Sequence, residues 1–191
     1  MEQETILGGH NINILIVLAH PNLKKSTINA NLKKAVMHET NITLHEIYED
    51  YPDWQIDVNK EQQLLLEHDR IIFQFPNYWY SYPPLLKKWF DDVLLSGWAF
   101  RGQHALTGKE FGVAISSGFS SEDYRFDGLH QHTIEQILAP FYATCHFIRG
   151  KTLPIFKSFE EELKTETDFS RLRQNYLLYL NKQYPYHRNT Y

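Results

Sequence analysis

Apolar and polar positions follow two rhythms along this chain. Ile12–Ala19 (INILIVLA) is an almost unbroken apolar run rich in branched residues, the pattern of a parallel strand buried on both faces. From Ser26 to about His38, Ile28, Leu32, Ala35 and Val36 recur at helical spacing. ITLHEIY (Ile42–Tyr48) alternates as a strand nearer an edge does. Glu61–His68, with Leu64, Leu65 and Leu66, predicts a short helix, and RIIFQF (Arg70–Phe75) a third strand. Leu85, Leu86, Trp89, Phe90, Val93 and Leu94 then form one helical stripe. Lys87, Lys88, Asp91 and Asp92 occupy its opposite face as two i,i+4 pairs. EFGVAIS (Glu110–Ser116) predicts a fourth strand. Ile134, Ile137, Leu138 and Phe141 predict a helix with Pro140 near its end, and CHFIR (Cys145–Arg149) a fifth strand. Phe159 to about Lys182 reads as a charged amphipathic helix, followed by the unpatterned tail YPYHRNTY.

Strands alternating with helices predict an α/β fold with a parallel sheet. The 191 residues suit one domain, 1–191, with a core over 12–157 and no repeat or linker. Five units fit the doubly wound, flavodoxin-like order 2-1-3-4-5, with helices on both faces. In that order the sheet reverses direction between strands 1 and 3, and ligands collect beyond the carboxyl ends of the strands there. The loops at that position follow Ala19, Phe75 and Ile115.

The first loop, HPNLKKSTIN (His20–Asn29), places Ser26 and Thr27 at a helix start, where unpaired N–H groups and hydroxyls suit a phosphate; Lys24 and Lys25 lie nearby. An ordinary Ser/Thr N-cap has the same appearance. The loop is neither GxGxxG nor GxxxxGK[ST], so a mononucleotide such as FMN fits better than a dinucleotide or a Walker-type nucleotide. The second loop opens FPNYWYSYPPLLKKWFDD, with five aromatic residues from Phe75 to Tyr82. Pro83 and Pro84 stiffen it where the next helix begins. Its backbone can bond the edge of a flat heterocycle while its rings wall it. Alternatively, Trp79, Tyr80 and Tyr82 only cap the core or meet another subunit. The third loop, SSGFSSEDYRFDGLHQH (Ser116–His132), offers close backbone approach at Gly118, and Tyr124 and His130 as a phenol and an imidazole for developing negative charge. His130 and His132 lack a partner at a recognisable metal spacing, so no metal is expected.

Composition narrows the classes. Net charge is −4 with 19 basic and 23 acidic residues, which is no footprint for nucleic acid. A single cysteine, Cys145, rules out an intrachain disulfide and favours a reducing, cytoplasmic setting. The start MEQETILGGHN has no signal pattern, and no apolar run approaches the roughly 20 residues that span a bilayer.

Together, AHPNLKKSTIN, DYPDWQIDVNKEQ, FPNYWYSYPPLLKKWFDDVLLSGWAF, ALTGKEFGVAISSG and TIEQILAPF resemble the NAD(P)H:quinone oxidoreductases of the DT-diaphorase type. That family includes the ancillary subunits of bacterial potassium-efflux antiporters. The resemblance runs from about Ile12 to Phe156, and its central motif is long and specific. It implies a non-covalent flavin, FMN in most bacterial members and FAD in others. It implies that His20 and Ser26, Thr27, Ile28 and Asn29 hold the phosphate and ribityl chain. Asn77, Tyr78, Trp79 and Tyr80 would border the flavin ring, and Ser116, Ser117, Gly118 and Phe119 would lie over its pyrimidine side. It further implies a homodimer, with Trp98, Ala99 and Phe100 as candidates for a second wall, and Tyr124 and His130 as the catalytic pair. The family often has Thr-Thr-Gly-Gly where this chain has Ser116, Ser117, Gly118 and Phe119, so Phe119 replaces a glycine beside the ring.

The implied activity is two-electron reduction of a quinone, or a similar planar acceptor, by NAD(P)H in ping-pong fashion. Two rivals use the same fold. One is an FMN-binding regulatory subunit of a membrane antiporter. The other is a one-electron carrier, which the mild charge disfavours.

Overall fold

The computed structural model describes residues 12–185. The leader reading of the first residues and most of the YPYHRNTY tail lie outside them. Five strands form the predicted parallel order, β2-β1-β3-β4-β5: β1 Ile14–Leu18, β2 Ile42–Glu46, β3 Arg70–Pro76, β4 Glu110–Ser117 and β5 Lys151–Thr152. A further strand, β6 Phe156–Phe159, also pairs parallel with β4. The helices are α1 Thr27–Val36, α2 Ile47–Asp50, α3 Val58–Glu67, α4 Pro84–Val93, α5 Ile134–Ile137, α6 Ala139–Phe147 and α7 Glu166–Asn181.

The apolar runs bury both faces of the sheet. Every residue of β1 and β3 is buried. Leu15, Val17 and Phe73 face a layer that includes Trp89 of α4 and Phe141 of α6. Ile14, Ile16 and Ile72 face Leu32 of α1 and Tyr176 and Leu180 of α7. Pro83 and Pro84 initiate α4 as predicted, where a missing N–H is harmless. Both predicted ion pairs form on its outer face, Lys87–Asp91 and Lys88–Asp92. Fully buried Arg70 ties the sheet to the end of α7: it pairs with Glu110 and donates to the carbonyls of Leu180 and Lys182.

The carboxyl-end region departs from the expectation. CHFIR is not a strand. Phe141, Cys145 and Ile148 continue the buried helical stripe of Ile134 and Leu138, and α6 runs through Cys145 to Phe147. Pro140 lies in the first turn of α6 instead of near a helix end, and a bend at Leu138 separates α5 from α6. The helix closes in a Schellman arrangement: Arg149 N–H donates to His146 O and Gly150 N–H to Cys145 O. Arg149, not a glycine, takes the left-handed position at φ 61°. Gly150 follows because a Cβ there would lie 2.5 Å from the Phe111 ring. The fifth strand begins only at Lys151. Leu153-Pro154-Ile155 separates it from β6, since Pro154 has no N–H for the ladder. Phe159 therefore ends a strand, and α7 starts at Glu166 behind a Thr165–Asp168 capping box. Two smaller shifts have local causes. Tyr48 leaves strand β2 for the turn of α2, and α3 starts at Val58 because Asp57 caps it by accepting from Lys60 N–H at 3.0 Å.

Glu61 is fully buried on α3 and joins four elements. It accepts from Trp89 Nε1 at 2.7 Å and from the Tyr51 hydroxyl, and it contacts His45 Nε2 at 2.8 Å. Burial opposes its ionisation, but His45, Tyr51 and Trp89 outweigh that and hold its carboxyl below the usual glutamate range. A depressed folded pKa stabilises the fold above the unfolded value, about 4.3, and that contribution disappears as pH falls through the folded value. Urea titrations should therefore show an acid-side loss of stability in this protein. Glu61→Ala should lose about 3–5 kcal/mol at neutral pH, because three donors are left buried without an acceptor.

Candidate functional site

The carboxyl ends of β1, β3 and β4 open into one cleft of ≈ 200 Å³. Its floor is built by a buried polar chain. Asn29, 1% exposed, donates from Nδ2 to Ser116 Oγ at 2.8 Å, joining the first turn of α1 to the end of β4. Gln74 Nε2 donates to Asn29 O at 3.2 Å, and the Tyr176 hydroxyl donates to Gln74 Oε1 at 3.0 Å. Asn77 N–H donates to Ser116 O at 2.8 Å, extending the β3–β4 ladder into the loop.

One end of the cleft is an N-terminal helix well. Ser26 caps α1, its Oγ accepting from Asn29 N–H at 3.1 Å. That leaves the Ser26 hydroxyl proton free to donate. Thr27 and Ile28 supply the next N–H groups, and the side chain of Ile28 turns into the core. His20 Nδ1 accepts from Asn22 N–H at 3.1 Å, which leaves Nε2 as the protonated nitrogen. Burial lowers its pKa, favouring the neutral ring. Lys25 lines the same end and supplies a positive charge.

The other end is an aromatic rim. Trp79 and Tyr80 both take left-handed backbone, φ 49° and 61°, which costs L-residues about 1–3 kcal/mol each. Reciprocal bonds between Tyr78 and Ser81 hold the turn. Trp79 is 93% exposed, so it is not core material. Tyr82 is: it packs between Phe75 and Phe90, and burial pushes its phenol up. Of the residues predicted to form a second wall, Ala99 is fully buried.

Tyr124 and His130 meet at the rim, with ring centroids 4.3 Å apart. Tyr124 is buried and its hydroxyl is engaged internally: Asn77 Nδ2 donates to it at 3.0 Å, and it shares a bond with Ser117 Oγ at 2.9 Å. His130 Nδ1 lies 3.1 Å from the Tyr80 hydroxyl. Two buried atoms here have no protein partner, Asn77 Oδ1 and His130 Nε2. Gly118 lines the cleft with nothing within 4 Å of its Cβ direction. Buried polar atoms without a partner are rare in folded proteins, so Asn77 Oδ1 and His130 Nε2 both sit where a partner from outside the chain could pair them.

The family model described as "Flavodoxin-like fold" matches residues 12–180. The chain belongs to the flavodoxin-like fold family. A relative in Bacillus subtilis, described as the uncharacterized NAD(P)H oxidoreductase YrkL, is 42% identical and covers 89% of this chain and 98% of its own. The KefG ancillary protein of a glutathione-regulated potassium-efflux system in Cronobacter sakazakii is 42% identical over 71% of this chain and 74% of its own. Among solved structures, general stress protein 14 of Treponema denticola in complex with FMN is 38% identical, with TM-score 0.82 over 88% of this chain and 97% of that one. An NADPH-quinone reductase from P. pentosaceus is 34% identical, with TM-score 0.81 over 88% and 98%. A chain described as a thermophilic tryptophan halogenase is 42% identical, with TM-score 0.85 over 89% and 99%.

Within this flavodoxin-like cleft, the predicted residues divide. His20, Ser26, Thr27, Ile28, Asn29, Asn77, Tyr78, Ser116, Ser117 and Gly118 line it. Trp79, Tyr80, Phe119 and His130 belong to the rim. Asn29 and Ser116 spend their side chains on each other. Glu160, directly after β6, also lines the cleft and is absent from the sequence-based set. Its only signal is its place after the last strand, and the apolar pattern puts that strand at CHFIR instead. Gly128 holds the His130 loop in place: a Cβ there would lie 2.4 Å from Glu122 O and 2.7 Å from Asp123 O. Gly128→Ala should destabilise this loop by about 1–3 kcal/mol. Hydrogen exchange should report it as lost protection of the His130 amide, which donates to Asp123 O at 3.0 Å.

Proposed function

We propose that this protein is a flavin-dependent NAD(P)H oxidoreductase that binds FMN and reduces quinones or similar planar acceptors. The observation that carries the reading is the two-part cleft, a helix N-terminal anion well opening onto a polar edge and an aromatic rim. Its ≈ 200 Å³ is below the roughly 300–1,000 Å³ of pockets that engulf a small molecule. That size suits a phosphate and polyol chain held inside and a flat ring lying against the rim. When bound, FMN supplies two-electron hydride acceptance and donation, for the net reaction NAD(P)H + H⁺ + quinone → NAD(P)⁺ + hydroquinone.

The chain's own residues then have defined tasks. Ser26 Oγ, the Thr27 and Ile28 N–H groups and His20 Nε2 would hold the phosphate as donors, with Lys25 and the α1 dipole adding positive potential. Asn77 Oδ1, unpaired within the chain, would accept from an N–H at the edge of the ring. Ser117 and Tyr124 share one hydrogen bond between two hydroxyls, so one O–H proton remains to donate to negative charge on that edge. His130 Nε2 is the second group placed to donate there. Trp79 and Tyr80 give planar partners one shared stacking face, which requires nicotinamide to leave before the acceptor enters. The relatives described as NAD(P)H oxidoreductase, FMN complex and NADPH-quinone reductase support this reading.

A homodimer in the cytoplasm completes the proposal, on the strength of the family resemblance and one buried free thiol. The KefG relative favours a second reading, an FMN-binding ancillary subunit of a potassium-efflux antiporter. Copurification with the antiporter together with negligible quinone turnover would select it.

The purified protein should carry a flavin spectrum and oxidise NADH or NADPH with a benzoquinone; a protein that takes up neither FMN nor FAD refutes the proposal. Tyr124→Phe and His130→Ala should each lower kcat by about 100–1,000-fold, on the scale of a lost transition-state donor, while FMN affinity changes far less. Parallel loss of both quantities would remove them from catalysis.

A further inference from the structure

We infer that Phe119 sets the size of acceptor the cleft admits, favouring single-ring quinones over fused three-ring ones. The acceptor's chemistry rests on the proposed reductase reading; the steric argument rests on the rim alone.

Four rings from two loops meet at the mouth, with His130 as their hub. Tyr80 comes from the loop after β3, and its hydroxyl lies 3.1 Å from His130 Nδ1. Tyr124, Phe119 and His130 itself come from the loop after β4. The Tyr124 and Phe119 ring centroids lie 4.3 and 4.7 Å from that of His130. These contacts bridge the mouth from one loop to the other. The hub is fixed from behind by the His130 N–H bond to Asp123 O and by the close packing of Gly128 on Glu122 and Asp123.

Phe119 is the end wall of this bridge. Its N–H donates to Ser117 Oγ at 3.1 Å, which holds its backbone against the cleft edge. Its ring stands edge-on to His130 at 85° and remains 44% exposed. Gly118, the preceding residue, has nothing within 4 Å of its Cβ direction. Open space thus lies beside Gly118, and Phe119 follows it in the chain with its ring on the rim against His130. A ring that fills such space excludes any atom closer than about 3.5 Å. A one-ring quinone stacked at the rim stays inside the bridge. A third fused ring lengthens the plate toward Phe119 and must push it off His130. Phe119 is free to move only by giving up that ring contact, which makes it a selective wall instead of an absolute one.

The test compares tetramethyl-1,4-benzoquinone with anthraquinone-2-sulfonate on FMN-supplied wild type, Phe119→Ala and Phe119→Leu. Binding without NAD(P)H is measured by calorimetry, and kcat/KM with NAD(P)H by absorbance. Phe119→Ala should raise the anthraquinone-to-benzoquinone ratio about tenfold in both, the scale of one displaced ring contact, with Leu intermediate and every form measured at saturating FMN. A ratio that stays fixed overturns the inference. So does a falling ratio, which would make Phe119 a stacking platform, or an absence of quinone binding to every form. If no quinone is turned over but the binding ratio rises, the reductase reading fails and the size inference stands. If turnover is normal but the ratio does not move, the size inference fails and the reductase reading stands.

Discussion

The bond from Asn29 to Ser116 is the constraint on which the cleft depends. At this point in the sheet, β1 passes its chain to α1 on one face while β3 passes its chain to α4 on the other. The two crossovers diverge and leave a crevice that packing alone would let collapse or gape. Asn29 spans it, with Gln74 and Tyr176 carrying the chain on to α7. All four side chains are buried, so each bond forms in a medium where an unmade partner costs about 1–3 kcal/mol. That penalty holds the first turn of α1 at a fixed height above β4. The anion well and the polar edge thereby keep a fixed separation.

The rim is held differently, by backbone strain that its surroundings over-determine. Trp79 and Tyr80 stay left-handed because Tyr78 and Ser81 exchange both bonds across them and two prolines anchor the following helix. A loop free to relax would bury the Trp79 indole, which is instead almost wholly in solvent. Retaining both the strain and the exposed ring makes sense where the ring's partner is a molecule from outside the chain.

The sequence disclosed the parts that repeat and concealed the parts that do not. The apolar runs of β1 and β3 and the α4 stripe carry their periods openly, and they fix the order of the sheet. Ser26 and Pro84 announce helix starts through chemistry that acts within three residues. The deceptive stretch is CHFIR, where a short branched run imitates a strand. The stop signal is displaced by one position, because Arg149 takes the turn and Gly150 only clears Phe111. Side-chain direction in the loops follows no period at all. Nothing local distinguishes Asn29, spent inward on Ser116, from Asn77, whose Oδ1 remains unspent. Tyr82 and Tyr80 stand two apart in one aromatic run, yet the first packs on Phe75 and Phe90 and the second reaches His130. Glu160 enters the cleft through a strand, β6, whose place depends on the helix hidden in CHFIR.

The arrangement of unspent groups at the mouth also bears on selectivity. Asn77 commits its amide nitrogen to Tyr124 and keeps an acceptor, Oδ1. Tyr124 and Ser117 hold two O–H protons for one mutual bond, and either can be the donor, so the pair retains one proton in both orientations. Phe119 N–H donates to Ser117 Oγ and Asn77 Nδ2 to the Tyr124 hydroxyl, so each oxygen accepts one N–H and the outward proton can sit on either. An acceptor and a donor then stand side by side on one rigid edge. Their complement is a planar group with an N–H next to a carbonyl. A purely apolar plate can stack on the rim but leaves both groups desolvated and unpaired, at about 1–3 kcal/mol each. Stacking thus tolerates many flat molecules, whereas the edge discriminates among them, and both loops contribute to each function, Asn77 with Trp79 and Tyr80 from the loop after β3, and Tyr124 with Phe119 and His130 from the loop after β4.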